Sequence, residues 1–284
     1  MELLIDCIPC LLRQSLEAAR IATDQKEIHN KIMKDTIQLL TEYDKYKNSP
    51  QLAKEIHNLV KNETGNPDPY QQIKNRDLQA AKDLYPFLKD FLQKKDNSIY
   101  WALKVAAVGN NLDAAVYCNP ELEKSISREL EKEFTICDLE IFTVKLRQAK
   151  NILIIGDNTG ETIFDRVMLE SFPDAAITYG VREKPIINDV TEKEAIDSGL
   201  NMVARVISTG CASPGTILTD CSPEFMDIYE RSDVIISKGQ GNFEALSGEK
   251  GNLFFLLKAK CPAIAEKFQV KINDYIFHYE DAKY

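Results

Sequence analysis

Histidine and tryptophan are almost absent from this 284-residue chain, which holds three of the first and one of the second. His29, His57 and His278 have no partner at metal-ligand spacing, which argues against a histidine-built zinc centre. No Ser or Cys motif accompanies them, so a Ser-His nucleophilic triad is not expected either. Long apolar runs are also missing. No segment approaches the roughly 18 consecutive apolar residues of a membrane span. The opening Met1-Glu2-Leu3-Leu4-Ile5-Asp6-Cys7 lacks the basic and apolar regions of a secretory signal. Positive charge is in deficit, with 35 Lys and Arg against 44 Asp and Glu and a net charge of −9. That balance is wrong for a sequence-blind nucleic-acid binder, which needs a basic surface. The seven cysteines are odd in number and too sparse for a disulfide scaffold. Cys7-x-x-Cys10 is half of a zinc motif without a second half, and three readings stay open for it: structural, redox or metal-binding. The expectation is a cytoplasmic protein with neither membrane nor nucleic acid as partner. Its oligomeric state is not legible.

What is present divides the chain in two. At roughly 100–200 residues per domain, two domains are expected. Residues 1–130 carry helical stripes: Cys10 to Ile21, Ile28 to Leu40, a third opened by Ser49-Pro50, another from Tyr70 to Leu84, and Ile99 to Val108. Residues 131–284 change character. Short apolar runs at 151–155, 176–181, 204–208, 233–237 and 253–257 alternate with amphipathic segments at 162–171, 192–198 and 223–231. Continuous rather than alternating apolar runs mark strands buried on both faces. The expected fold is therefore α/β: a helical N-terminal region packed on a three-layer α/β/α domain with a mainly parallel sheet.

Ligands of such sheets bind beyond the carboxyl ends of the strands. Four strand ends present polar chemistry. They are Gly156-Asp157-Asn158-Thr159-Gly160-Glu161, with Asp165 one turn on; Arg182 to Pro185 followed by Asn188-Asp189; Thr209-Gly210-Cys211-Ala212-Ser213; and Lys238-Gly239-Gln240-Gly241-Asn242. Asp157, Asn158 and Asp189 offer the hard oxygen donors that Mg²⁺ or Mn²⁺ prefers. Lys238 and the backbone amides through Gly239 and Gly241 offer an anion cradle, with Thr209, Gly210 and Ser213 as further donors to phosphate oxygens. Taken singly, each piece reads more readily as a turn, a helix cap or a solvated lysine. Their convergence at one sheet edge is the informative feature.

Gly156-Asp157-Asn158-x-Gly160-Glu161-x-x-x-Asp165 and Ser237-Lys238-Gly239-Gln240-Gly241-Asn242-Phe243-Glu244 resemble the metal-dependent damage-control phosphatase family, a former domain of unknown function. So do Gly109-Asn110-x-x-Asp113, Asp68-Pro69-Tyr70 and Arg182-x-x-Pro185-x-x-Asn188-Asp189, so that the likeness covers nearly the whole chain. Cys7-x-x-Cys10 resembles a mark of its mostly archaeal and bacterial branch. The resemblance implies a divalent metal (Mg, Mn, Co or Ni) on Asp157, Asn158 and Asp189, with Lys238 contacting phosphate. It also implies that Asn110 and Asp113 enter the pocket from the helical half and that Arg182 binds substrate. The implied activity is hydrolysis of small phosphorylated metabolites, such as sugar phosphates. Asp157 or Asp189 would position or deprotonate the attacking water, with attack by Asp157 itself as the competing route. No organic cofactor is expected. Two other readings stand beside it. A carboxyl methyltransferase would need a bare glycine turn where Asp157 and Asn158 stand, and a non-catalytic metal- or metabolite-binding module would not need Asp157, Asn158 and Asp189 to converge.

Overall fold

The computed structural model describes residues 1–96, 98–110 and 122–281. Asp113 and Cys118 therefore lie outside the described residues. Helices α1 (Cys7–Ala22), α2 (Lys26–Leu40) and α3 (Ser49–Thr64) gather around Leu11, Leu40, Leu52, Ala53 and Ile56. The start of α3 follows from its caps: the Asn48 side chain accepts the Gln51 N–H at 3.1 Å, and Pro50 lies in the first turn.

Helix α4 (Gln71–Gln93) is longer than its stripe predicts, because it continues through Pro86. An interior proline costs about 3 kcal/mol through its lost N–H and the clash at residue i−4. Here Pro86 and Lys82 are both on the exposed side, where water can reach the freed carbonyl. Leu84, Leu88 and Leu92 are buried on the other side. Burying each leucine contributes about 1.5–3 kcal/mol, which together offsets the proline. Helices α5 (Ser98–Gly109) and α6 (Leu122–Glu131) complete the first half.

The second half runs β1 (Phe134–Cys137), α7 (Leu139–Gln148), β2 (Asn151–Ile155), α8 (Thr162–Leu169), β3 (Ala176–Val181), α9 (Glu192–Asp197), β4 (Arg205–Ser208), α10 (Pro223–Arg231), β5 (Val234–Lys238), α11 (Gly239–Leu246), β6 (Asn252–Lys258), α12 (Pro262–Phe268) and β7 (Tyr275–Asp281). The strands form one sheet in the order β1-β7-β6-β5-β2-β3-β4, parallel except between β6 and β7. Alternate residues feed two cores, one on each face. Ile152, Ile154, Ile236 and Phe254 join Leu84, Val108 and Phe164 on one side. Leu153, Ile155, Ile235 and Phe255 join Phe225, Phe243 and Ile264 on the other. This is the expected α/β/α sandwich, with α4 and α5 of the first half inside its larger core. Strands β1 and β7 were not anticipated. The first is a four-residue edge strand, and the second pairs antiparallel to β6 at the end of the chain.

Candidate active site at the switch point of the sheet

From β2 the chain moves outward through β3 and β4, then returns to lay β5 on the other side of β2. The order thus reverses at β2, and the crevice beyond its carboxyl end is where such sheets bind ligands. Asp157 and Asn158 leave β2 there, and Lys238 ends β5 beside them. A short zipper brings in the third element: the Asp157 carbonyl accepts the Val190 N–H at 2.8 Å, and the Thr159 N–H donates to the Asn188 carbonyl at 2.9 Å. Asn158 and Asp189 consequently face each other in an isolated antiparallel bridge. Asn110 arrives from the end of α5, which is drawn down on α8 at Gly109; a Cβ there would stand 2.9 Å from the Phe164 ring.

The side chains form one connected network. The amide nitrogen of Asn110 donates to Asp157 Oδ2 at 3.1 Å and to Glu161 Oε1 at 2.5 Å. That of Asn158 donates to the same two oxygens, at 3.2 and 2.8 Å. Glu161 Oε2 accepts from Lys238 Nζ at 2.8 Å, and Lys238 also donates to Asp165 Oδ1 at 2.5 Å. The Tyr179 hydroxyl donates to Asp165 Oδ2 at 2.7 Å. A second branch runs through Arg182. Its Nε donates to Asp189 Oδ2 at 2.7 Å, one terminal nitrogen to Thr216 Oγ1 at 2.6 Å and the other to Asn242 Oδ1 at 3.0 Å. Asn242 ties the branch to the backbone, its amide donating to the carbonyls of Gly156 and Lys238.

Four buried carboxylates, on Asp157, Glu161, Asp165 and Asp189, face two buried cations, on Lys238 and Arg182. The acids respond accordingly. Burial, then the charges of Glu161 and Asp189, push Asp157 well above the usual carboxylate range. Burial lifts Asp189 to about 6 against the opposing pull of Arg182. Burial would lift Glu161 too, but Lys238 outweighs it and holds Glu161 below its ordinary value. The cluster is therefore short of positive charge on the Asp157 and Asp189 side. The buried Oδ1 of Asn110 has no hydrogen-bond partner among the described residues. A divalent cation fits both facts, since it would supply the missing charge and oxygen ligands are what it takes. Among the described residues no three His, Cys, Asp or Glu side chains form a metal cage. The donor set here is two carboxylates and an amide, the chemistry of Mg²⁺ or Mn²⁺ rather than of a closed zinc centre.

Several residues take roles that the sequence did not indicate. Lys238 directs its ammonium to Glu161 and Asp165 and is fully buried. All three donating nitrogens of Arg182 are engaged by Asp189, Thr216 and Asn242, so it fixes Asp189 and ties two loops together. Gly239 lies under Asp157, and Gly241 touches the Pro214 carbonyl. The Thr209 hydroxyl and the Gly210 N–H bond within their own loop, to Cys211 and to Ser208. Ser213 is buried, its hydroxyl without a partner among the described residues. Thr216, Tyr179 and Asn242 were missed as contributors. Asn242 stood inside a quoted motif, and Glu161 and Asp165 carried the i, i+4 spacing of one helical face. Cys7 and Cys10 are free thiols in α1. No helix among the described residues is long and apolar enough to cross a membrane.

Residues 3–276 match the family model described as the damage-control phosphatase ARMT1-like domain. A damage-control phosphatase of Pyrococcus horikoshii is 34% identical over 276 residues, covering 95% of each chain. One from Archaeoglobus fulgidus is 28% identical over 279 residues, covering 95% of this chain and 96% of that one. The crystal structure of a DUF89 family protein from Pyrococcus horikoshii superposes with a TM-score of 0.90 at 33% identity, covering 98% of this chain and 99% of the other.

Proposed function

Since the chain belongs to the damage-control phosphatase ARMT1-like family, we propose that it is a divalent-metal-dependent phosphatase of small phosphorylated metabolites, sugar phosphates among them. The observation that carries the metal dependence is the charge imbalance at the switch point: four buried carboxylates and two buried cations. Asp157, Asn158 and Asp189 would hold the ion. When bound, it would polarise the phosphoryl group and make a water molecule more acidic.

The chain's own residues supply the rest. Asp157 is presented by a glycine turn at the end of β2, where a rigid sheet edge fixes its position. Asp189 is oriented by Arg182, so its second oxygen is held in place to align or deprotonate the attacking water. The first turn of α11 begins at Gly239 against Asp157, and its backbone N–H groups favour an anion at that end. The Lys238 ammonium, paired with Glu161 and Asp165, holds the carboxylate network beside Asp157 in place.

The test is phosphate release from a panel of sugar phosphates and an aryl phosphate, by metal-stripped protein with Mg²⁺, Mn²⁺, Co²⁺ or Ni²⁺ restored. Turnover that requires added metal supports the reading. Turnover that survives rigorous chelation refutes the metal dependence.

A further inference from the structure

We propose that Glu161 is a positioning residue that sets the rotation of two amides, Asn110 and Asn158, so that both turn their oxygens toward the metal position. The inference rests on the metal-dependent reading above and extends it to a residue outside the donor set.

A carboxylate oxygen only accepts hydrogen bonds, so an amide beside it must present its NH₂ group. Glu161 Oε1 receives both amides, at 2.5 and 2.8 Å. These are shorter than the companion contacts of the same nitrogens to Asp157 Oδ2, at 3.1 and 3.2 Å. With each nitrogen committed to the acids, each Oδ1, on the other arm of its planar amide, points away from Glu161. For Asn110 that oxygen is buried and has no partner among the described residues. A buried acceptor left so is rare, and an ion at the site would satisfy it. Lys238 maintains the arrangement. Its ammonium occupies the other oxygen of Glu161 and also Asp165, which Tyr179 anchors from behind. Glu161 thus cannot rotate or become a donor without losing its ion pair.

Glu161→Gln puts this to the test, because it keeps the shape and removes the acceptor-only character. If the glutamine oxygen stays on Lys238, its NH₂ faces two amide nitrogens; if it turns round, its NH₂ faces the ammonium. In the first case the two amides lose their acceptor; the second keeps it only by setting a donor against the buried Lys238 ammonium, and is disfavoured. Partners of this kind typically change metal affinity by about 10–100-fold. The experiment is Mn²⁺ binding to the metal-stripped full-length chain, read from the electron paramagnetic resonance of free Mn²⁺. The melting temperature of the metal-free protein is measured alongside. We expect Glu161→Gln to weaken Mn²⁺ binding at least about tenfold. A second change completes a double-mutant cycle: Asn158→Asp, whose carboxylate has no amide to orient, should restore affinity in the Glu161→Gln background but not improve it beside an intact Glu161.

Wild-type-like Mn²⁺ affinity in Glu161→Gln overturns the inference, and so does an equal effect of Asn158→Asp in both backgrounds. Should Glu161→Gln fail to fold, the double variant decides, since it keeps the number of carboxylates in the cluster. A folded double variant that does not bind Mn²⁺ overturns the positioning role. Wild-type protein that binds no Mn²⁺ sinks the metal reading itself, an outcome distinct from the others.

Discussion

Asp157 lies so close over Gly239 that a Cβ on the glycine would stand 1.9 Å from the aspartate Oδ2. Gly239 also has φ +77, a conformation that L side chains adopt only with strain. Two strands, β2 and β5, can bring their ends together here only because this position carries no side chain. Gly239→Ala should therefore displace Asp157 and lower metal affinity and turnover together. Backbone strain of about 1–2 kcal/mol should appear in denaturant unfolding. An alanine variant with wild-type turnover and stability would mean that the close approach is not required.

Lys238 is the counter-ion of Glu161 and Asp165, and all three side chains are almost completely shielded from water. Removing one partner of a buried ion pair leaves an uncompensated charge, at a cost of about 3–5 kcal/mol. Lys238→Met should lower stability by that amount, and the melting temperature by on the order of 10 °C for a chain of this size. Thermal and urea unfolding of the metal-free protein both report it. A shift of no more than about 2 °C would place the lysine outside the framework of the site.

His57 offers a prediction independent of the site. It is buried, its Nε2 has no partner among the described residues, and burial followed by the charge of Lys61 lowers its pKa to about 4. The unfolded chain holds the proton below the ordinary value of about 6.5, whereas the folded chain refuses it until about pH 4. Folding thus loses stability as pH falls through this window, by up to about 3 kcal/mol. His57→Leu should flatten that part of the stability–pH curve. Equal slopes for wild type and variant between pH 6.5 and 4 would contradict the account.

The contrast between legible and hidden features follows from what each depends on. Strands β2, β3 and β5 were readable because a strand covered on both faces needs consecutive apolar residues, as Ile152–Ile155 shows. Helix α3 was readable because its start is written locally in Asn48, Ser49 and Pro50. Strand β7 was not, since its apolar run is only Tyr275-Ile276-Phe277 before His278, Glu280 and Asp281, and its extent is defined by its antiparallel partner β6. The C-terminal half of α4 was hidden behind Pro86, whose cost is offset by leucines packing on α5 and α8. At the site, position at a strand end was visible for Asp157, Asn158, Asp189, Arg182 and Lys238. The direction of each side chain was not. Lys238 turns away from solvent because Glu161 and Asp165, more than 70 residues earlier, take its charge. Arg182 turns to Asp189 because the zipper between 157–159 and 188–190 folds that carboxylate back onto it. Such choices depend on tertiary neighbours that no local pattern encodes.

On the proposed reading, Asp157 anchors a metal-dependent phosphatase centre. Its most direct test is phosphate release by Asp157→Asn, a substitution that preserves shape, compared with wild type under saturating Mn²⁺. A loss of at least about a hundredfold is expected, consistent with removal of a group acting on the proton or the metal. Metal-free melting should be retained or raised, since one of four crowded carboxylates has gone. Turnover within a few-fold of wild type in the folded variant would contradict the assignment of the site.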